Sequence, residues 1–374
     1  GTFNAQSLFN LSGDNSTALA QKRHSRDKWV KENAPAVLRD LGIDRWTSHF
    51  VHAQREHAFE RLRDCPSLND ALQILVGAFA FIIAVTKPSR RSQVADLRRD
   101  CVTFKKGDGY WLTHHPRKLN VSDRLIATHR PVPSITRRAI GLLGRLAAGL
   151  CDASGETDPH LLNALFYLPK FSQNGTLSPR QLSGGEIDLC LARLCDYVGL
   201  PPDELGRRWY VHHHELRKSF LITFFWCFKF ASLEAASWMA DHSEIKQLWV
   251  YIEANFPGEE LTALEAEYAA NQLWDFETNR NRGEPDNIQD LHRAVCRHFG
   301  VSEISLIDES ELTDWLKLAF DTHLYEIDVY RIKSRNGSIR SAVAFKIREE
   351  SKNAKKGAKG KIGRDKARSK SDQR

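Results

Sequence analysis

The sequence predicts a mainly α-helical protein carrying a small antiparallel β-sheet. Three observations support this: a long apolar helical pattern from Leu68 to the break at Pro88, short strand-like pieces separated by turn residues over 102–131, and helical patterns again from Ser134 to about Asn255. With 374 residues, 41% of them hydrophobic and including 9 Trp and 19 Phe, the chain can bury a core split over two or more domains. A mainly disordered polypeptide is excluded.

Residues 1–65 read as polar helices with scattered apolar anchors: Trp29, Val30, Leu38, Leu41, Ile43, Trp46 and Phe50. They suggest the end of a small helical domain and a linker. The first residue is Gly1 and the sole methionine is Met239, so a natural start upstream is expected. No signal or transit segment opens the sequence. The longest apolar run, Ile74 to Val85, is shorter than the roughly 20 residues that cross a bilayer, so no spanning helix is expected.

A second helix starts near Ser92. Val102–Phe104, the turn Gly107-Asp108-Gly109, Tyr110–Thr113, a polar loop Pro116–Asp123 and Leu125–Pro131 then give a three-stranded antiparallel sheet. Helices follow, interrupted by a Gly, Ser and Pro-rich loop at 174–185. After Pro257-Gly258 the composition turns acidic, with helices at Glu259–Trp274, Ile288–Phe299 and Ser310–Phe320. Tyr325–Ile332 and Ile339–Ile347 form a hairpin through Arg335-Asn336-Gly337-Ser338, where Asn-Gly suits a type I′ turn. No internal repeat is present.

The formal net charge of +7 is concentrated at one end. Residues 351–374 hold ten Lys/Arg and two Asp, while the other 350 residues hold 44 basic and 45 acidic. Such a tail cannot bury enough to fold; it reads either as a sequence-blind contact to a polyanion or as a solubilising end. The seven cysteines form no C-x-x-C pair and are odd in number. Reduced, mostly buried thiols in a cytosolic protein fit this better than a zinc knuckle or a disulfide framework.

Two motifs are set aside. Leu182-Ser183-Gly184-Gly185-Glu186 resembles the signature peptide of ABC-type ATPases, but no G-x-x-x-x-G-K-[ST] peptide accompanies it. A Ser-capped helix start explains it at lower cost. His212-His213-His214 suggests a metal, yet adjacent histidines on a helix point in different directions and no acidic or Cys partner sits at ligand spacing. The series Phe220, Phe224, Phe225, Phe228 reads as core.

The informative stretch is Val211–Tyr251. It contains the H-x-x-R peptide His214-Glu215-Leu216-Arg217, a pattern that also occurs at His52–Arg55 and His114–Arg117. Only the Val211–Tyr251 copy is followed by a His 25 residues after its Arg, in Met239-Ala240-Asp241-His242-Ser243, and by Tyr251 nine residues beyond that.

These residues resemble the second box of the tyrosine recombinase (phage integrase) family: H-x-L-R, a hydrophobic helix, then a His and a Tyr. The first box of that family, an Arg after a helix break with a small polar residue and an acid following, is similar to Arg90-Arg91-Ser92-Gln93-Val94-Ala95-Asp96-Leu97, with Arg90 as the key residue and Arg91 as its neighbouring alternative. The family's strand-turn lysine falls on Lys118, with Lys105, Lys106 and Arg117 as alternatives. Gln93 stands where an acid is usual, and Asp241 stands where Gly is usual. The resemblance covers roughly residues 66–256.

It implies a partial helical core-binding domain and linker at 1–65 and a catalytic recombinase domain at 66–256; the residue patterns beyond it add an accessory α+β extension at 257–350 and a disordered basic tail at 351–374. It further implies cleavage and rejoining of DNA without metal, nucleotide or other cofactor. Tyr251 would be the nucleophile that forms a 3′-phosphotyrosyl bond. Arg90 and Arg217 would clamp the phosphate, because guanidinium forks stay charged and aim donors at the oxygens on which charge develops. His214, one helical turn before Arg217, and His242 would bind the phosphate or assist proton transfer. Lys118 would protonate the leaving 5′ oxygen.

The expected partners are double-stranded DNA at specific recombination sites, further copies of the chain in a tetramer, and accessory proteins of a mobile element. No membrane partner is expected, and the expected location is the cytoplasm at a bacterial nucleoid. Two alternatives share the binding features: DNA relaxation of the type IB topoisomerase kind, and a relative that binds DNA without cutting it. A metallohydrolase using the histidine run is a distant third.

Overall fold

The computed structural model describes residues 2–4, 17–33, 36–46, 58–114, 127–171, 177–178, 180–242, 245–256, 258–278, 287–333 and 339–347. The fold is mainly helical with small antiparallel sheets. It divides into two compact units, Gly1–Phe228 with Ala235–His242, and Lys229–Glu234 with Ser243–Arg374.

The first unit opens with β1 (Thr2–Asn4), α1 (Thr17–Asn33), α2 (Ala36–Asp40) and α3 (Ala58–Asp64). Of the expected anchors, Val30, Ile43 and Trp46 are buried, whereas Leu41 is exposed. The central helix α4 (Leu68–Thr86) starts at the cap residue Ser67, whose hydroxyl accepts from Asp70 N at 3.2 Å and donates to its carboxylate at 2.7 Å. At 19 residues it outruns the Ile74–Val85 stretch, and by length and composition it is long and apolar enough to cross a membrane. Its Leu72, Val76, Ala80, Ile83 and Ala84 pack in the unit's main core.

The break at Pro88 is followed by the short helix α5 (Arg91–Ala95). Next come the three expected strands, β2 (Val102–Lys105), β3 (Gly109–His114) and β4 (Thr128–Val132), paired antiparallel in that order. Val102 faces Leu112 and His114 faces Thr128. Gly107 and Gly109 take positive φ, +83° and +85°, which the tight β2–β3 turn requires. The long helix α6 (Ser134–Ser154) ends at Gly155 in the left-handed region, and α7 (Pro159–Leu162), β5 (Lys170–Phe171) and β6 (Leu177–Ser178) follow.

The Leu182–Glu186 peptide starts α8 (Gly184–Val198) with a reciprocal capping box. Glu186 N donates to the Ser183 hydroxyl at 3.4 Å, and Ser183 N donates to the Glu186 carboxylate at 2.9 Å. Helices α4 and α8 meet backbone to backbone at Gly77, where an added Cβ would lie 2.2 Å from Cys190 O. After α8, β7 (Arg208–Tyr210) pairs with β1 across some two hundred residues, and α9 (His213–Phe228) carries the second H-x-x-R box. The strands β1, β5, β6 and β7 have no counterpart in the sequence reading, because two or three residues give no periodicity to read.

The phenylalanine series on α9 divides, which corrects the expectation of a shared core role. Phe225 is fully buried, whereas Phe220, Phe224 and Phe228 stack in succession at 5.6 and 4.9 Å and Phe228 is exposed. The four-residue spacing puts those three on one face, and Phe225 lies off it.

A 3₁₀ turn (Lys229–Ser232) leads into α10 (Leu233–Met239). The second unit continues with α11 (Ile245–Glu253), α12 (Gly258–Glu277), α13 (Ile288–Phe299), α14 (Glu309–Asp321) and the hairpin β8 (Tyr325–Lys333) with β9 (Ile339–Ile347). Its aromatic core runs from Trp249 to Phe230 at 5.4 Å, from Phe230 to Tyr268 at 4.3 Å, and on to Phe345 at 6.2 Å. The expected hairpin strands agree within one residue. Their pairing sets Lys333 opposite Ile339, one residue out of step with a two-residue turn at Asn336-Gly337; that turn itself lies outside the described residues.

Candidate active site around Asp241 and Arg217

Two of the segments singled out from the sequence, the loop at Pro88–Arg90 and the segment ending at His242, converge on Arg217. Arg217 sits on the first turns of α9 and is 7% exposed. Its Nη1 donates to Pro88 O, and its Nη2 donates to Ala240 O at 2.8 Å and meets His242 Nε2 at 2.8 Å. A guanidinium only donates, so His242 Nε2 is the acceptor in this contact.

Arg90 lies two residues beyond Pro88, at the N-cap of α5, and is half-buried. Its backbone N–H donates to Gln93 Oε1 at 2.6 Å. Gln and Glu both supply this capping oxygen at the third helical position, which accounts for an amide where an acid is usual. The neighbouring Arg91 is committed elsewhere, donating to Asp188 at 3.2 Å.

Asp241, noted in the sequence only as a departure from Gly, is the hub of the described site. Its φ of +54° is left-handed, so the position needs the backbone that Gly supplies readily and Asp can adopt. Its buried carboxylate receives His114 Nε2 at 2.6 Å, Arg130 Nη2 at 2.6 Å and Lys87 Nζ at 3.3 Å. Burial alone would raise its pKa; the His114 hydrogen bond and the charges of Lys87 and Arg130 outweigh burial and hold it well below the usual carboxylate range. Lys87 is fully buried and pulled down to about 8 by desolvation, against the attraction of Asp241. Desolvation likewise holds His114 below its ordinary value, aided by Lys87 and Arg130 and opposed by Asp241.

The same cations close the end of α10. Trp238 O accepts from Arg130 Nε at 2.6 Å, Met239 O from Lys87 Nζ at 2.8 Å, and Ala240 O from Arg217 Nη2 at 2.8 Å. Carbonyls at a helix C-terminus lack intrahelical partners and carry the negative end of the dipole. Three cations from three different elements satisfy them here. Arg130 also lies over the Trp238 ring at 4.3 Å.

The histidine run separates as the geometry of a helix start requires. His213 is buried and its Nδ1 meets Asp188 at 2.7 Å, while His214 is exposed. No group of three or more metal-ligating side chains occurs among the described residues. Upstream, Tyr210 donates to the buried Asp196 at 2.7 Å, pinning the strand that leads into α9. Burial raises Asp196 to about 6.

Arg217 and His242 are thus brought together, with His214 on the same helix as Arg217, and Arg90 follows two residues after the Pro88 carbonyl that Arg217 holds. Lys118 lies outside the described residues. Tyr251 is half-buried on α11 in the second unit, and its carbonyl accepts from Asn255 Nδ2 at 2.7 Å. Sequence reasoning missed Lys87, Arg130, Asp188 and the anchoring role of Asp241. His114 was visible only as part of a discounted H-x-x-R copy. No family model matches this sequence, and no curated protein matches it.

Proposed function

We propose that this protein is a DNA strand-cleaving and rejoining enzyme of the tyrosine recombinase type, acting at specific sites for a mobile element. The observation that carries the reading is the meeting of Arg217 with His242 Nε2 and with the carbonyl two residues before Arg90, which joins both resembling boxes. Lys87 and Arg130 on the buried carboxylate of Asp241, with Arg217 on the adjoining Ala240 carbonyl, support the reading by making a cationic neighbourhood suited to a phosphodiester.

In this proposal the phenolic oxygen of Tyr251 attacks the phosphorus as its proton passes to His214. The P–O bond to the 5′ oxygen breaks, and Lys118 supplies the proton to that leaving group. The phosphotyrosine conserves the bond energy, so a second 5′ hydroxyl reverses the reaction and joins strands without ATP. Arg90 and Arg217 stabilise the charge on the non-bridging oxygens, and His242 hydrogen-bonds to them. The acting species is a tetramer on two duplexes, with accessory element-encoded proteins as further partners and no metal or nucleotide.

A nicked suicide substrate tests this. The parent protein is expected to become covalently attached to DNA in the presence of chelator, and Tyr251→Phe to lose the adduct while binding DNA within about twofold. Lys118→Ala is expected to slow adduct formation about 10²- to 10⁴-fold. A second reading is favoured by the burial of Arg217 and its donation to two carbonyls: a relative that keeps the fold for DNA binding alone. Absence of any adduct from the parent protein, with site-specific binding intact, selects that reading. Relaxation of supercoiled plasmid without partner exchange selects the topoisomerase.

A further inference from the structure

We propose that the groove between β2, β3 and α6 binds an unpaired stretch of nucleic acid, with phosphates on its arginines and a base on its exposed phenylalanine. The groove encloses about 540 Å³ and is lined by Arg99, Arg137, Arg138 and Arg145 together with Phe104 and Tyr110. No acidic residue lines it, and among the described residues none of these four guanidiniums has a carboxylate partner. Arg137, Arg138 and Arg145 are exposed and Arg99 is half-buried. Four like charges around one concavity repel one another, and a polyanion converts that repulsion into attraction.

The spacing suits an extended strand. Arg138 and Arg145 are seven residues apart on α6, on one face and about 10 Å apart along the axis. Gly141 between them borders open space, since a Cβ built there meets nothing within 4 Å. Phe104 is 65% exposed on the edge strand β2, its ring 5.2 Å from Tyr110, and Arg137 lies over Tyr110 at 5.7 Å. An aromatic face beside arginines offers stacking to any base, and a duplex keeps its base faces covered, which favours an unpaired strand. The groove lies at the far end of β3 from His114, about 13 Å along the strand. It is separate from the Asp241 site, and the inference holds whether or not Tyr251 carries the chemistry.

The test measures fluorescence anisotropy of a labelled twelve-residue oligothymidylate with the full chain across a salt series, so that the basic tail contributes equally to every variant. Arg138→Gln with Arg145→Gln is expected to lower the slope of log affinity against log salt by about 1.4, at ~0.7 per neutralised phosphate of a single strand. Phe104→Ala is expected to weaken binding about tenfold with the slope unchanged. A duplex of the same length is expected to compete poorly. Unchanged binding by both variants, or equal competition by the duplex, overturns the proposal. Neither result bears on the covalent-adduct test, so the two readings fail independently.

Discussion

Asp241 adopts a backbone conformation that costs most residues roughly 1–2 kcal/mol, yet removing its carboxylate strands Lys87 and Arg130 in buried surroundings. Breaking a buried pair from one side costs about 3–5 kcal/mol, so the anchor outweighs the strain. Asp241→Asn and Asp241→Gly are both expected to destabilise the protein by several kcal/mol in urea unfolding, although glycine relieves the φ; wild-type stability in the glycine variant would assign the residue to backbone geometry alone. His114 supplies a pH dependence of known sign. Its folded pKa is lowered, so its contribution is complete above the ordinary imidazole value near 6.5 and is lost as pH falls through the lower folded value. The melting temperature is expected to fall below about pH 6.5, and His114→Gln to flatten that decline relative to the parent protein.

Among the elements, α4 and α8 show how one residue type sets a helix spacing. Alanine is intrinsically better than glycine in a helix by about 1 kcal/mol, but at Gly77 the added Cβ would press on the backbone of Cys190, which has no rotamer to yield. Overpacking costs typically 1–3 kcal/mol and here involves main chain, so it wins. Gly77→Ala is expected to lower the denaturation midpoint, and an unchanged midpoint would show that the helices separate freely. The end of α10 illustrates the same dependence on neighbours: the local cap, in which His242 N donates to Ser237 O at 3.0 Å across the left-handed Asp241, is joined by side chains from the α4–α5 loop, β4 and α9 that donate to the last carbonyls.

For the whole molecule, the boundary expected near residue 256 passes through a compact unit. Helix α11, which bears Tyr251, shares an aromatic core with Phe230, Tyr268 and Phe345. A chain ending at residue 256 loses Tyr268 and Phe345 from that core. Hydrogen exchange over 245–253 is therefore expected to accelerate by more than tenfold in the truncated chain; native protection there would make the 257–350 segment a separable accessory.

The long helices, the three-stranded sheet and the hairpin strands were legible from local residue patterns, since burial at a period of 3.6 or 2 is written into neighbouring residues. The Ser-capped helix start at Ser183 was legible in the same local way. That Asp241 is an anchor, that Lys87 and Arg130 serve it, and that one of two discounted H-x-x-R copies contributes a buried histidine emerged from the folded arrangement. Those partners stand more than a hundred residues apart in the chain, and a pairing between charges so distant leaves no trace in local periodicity.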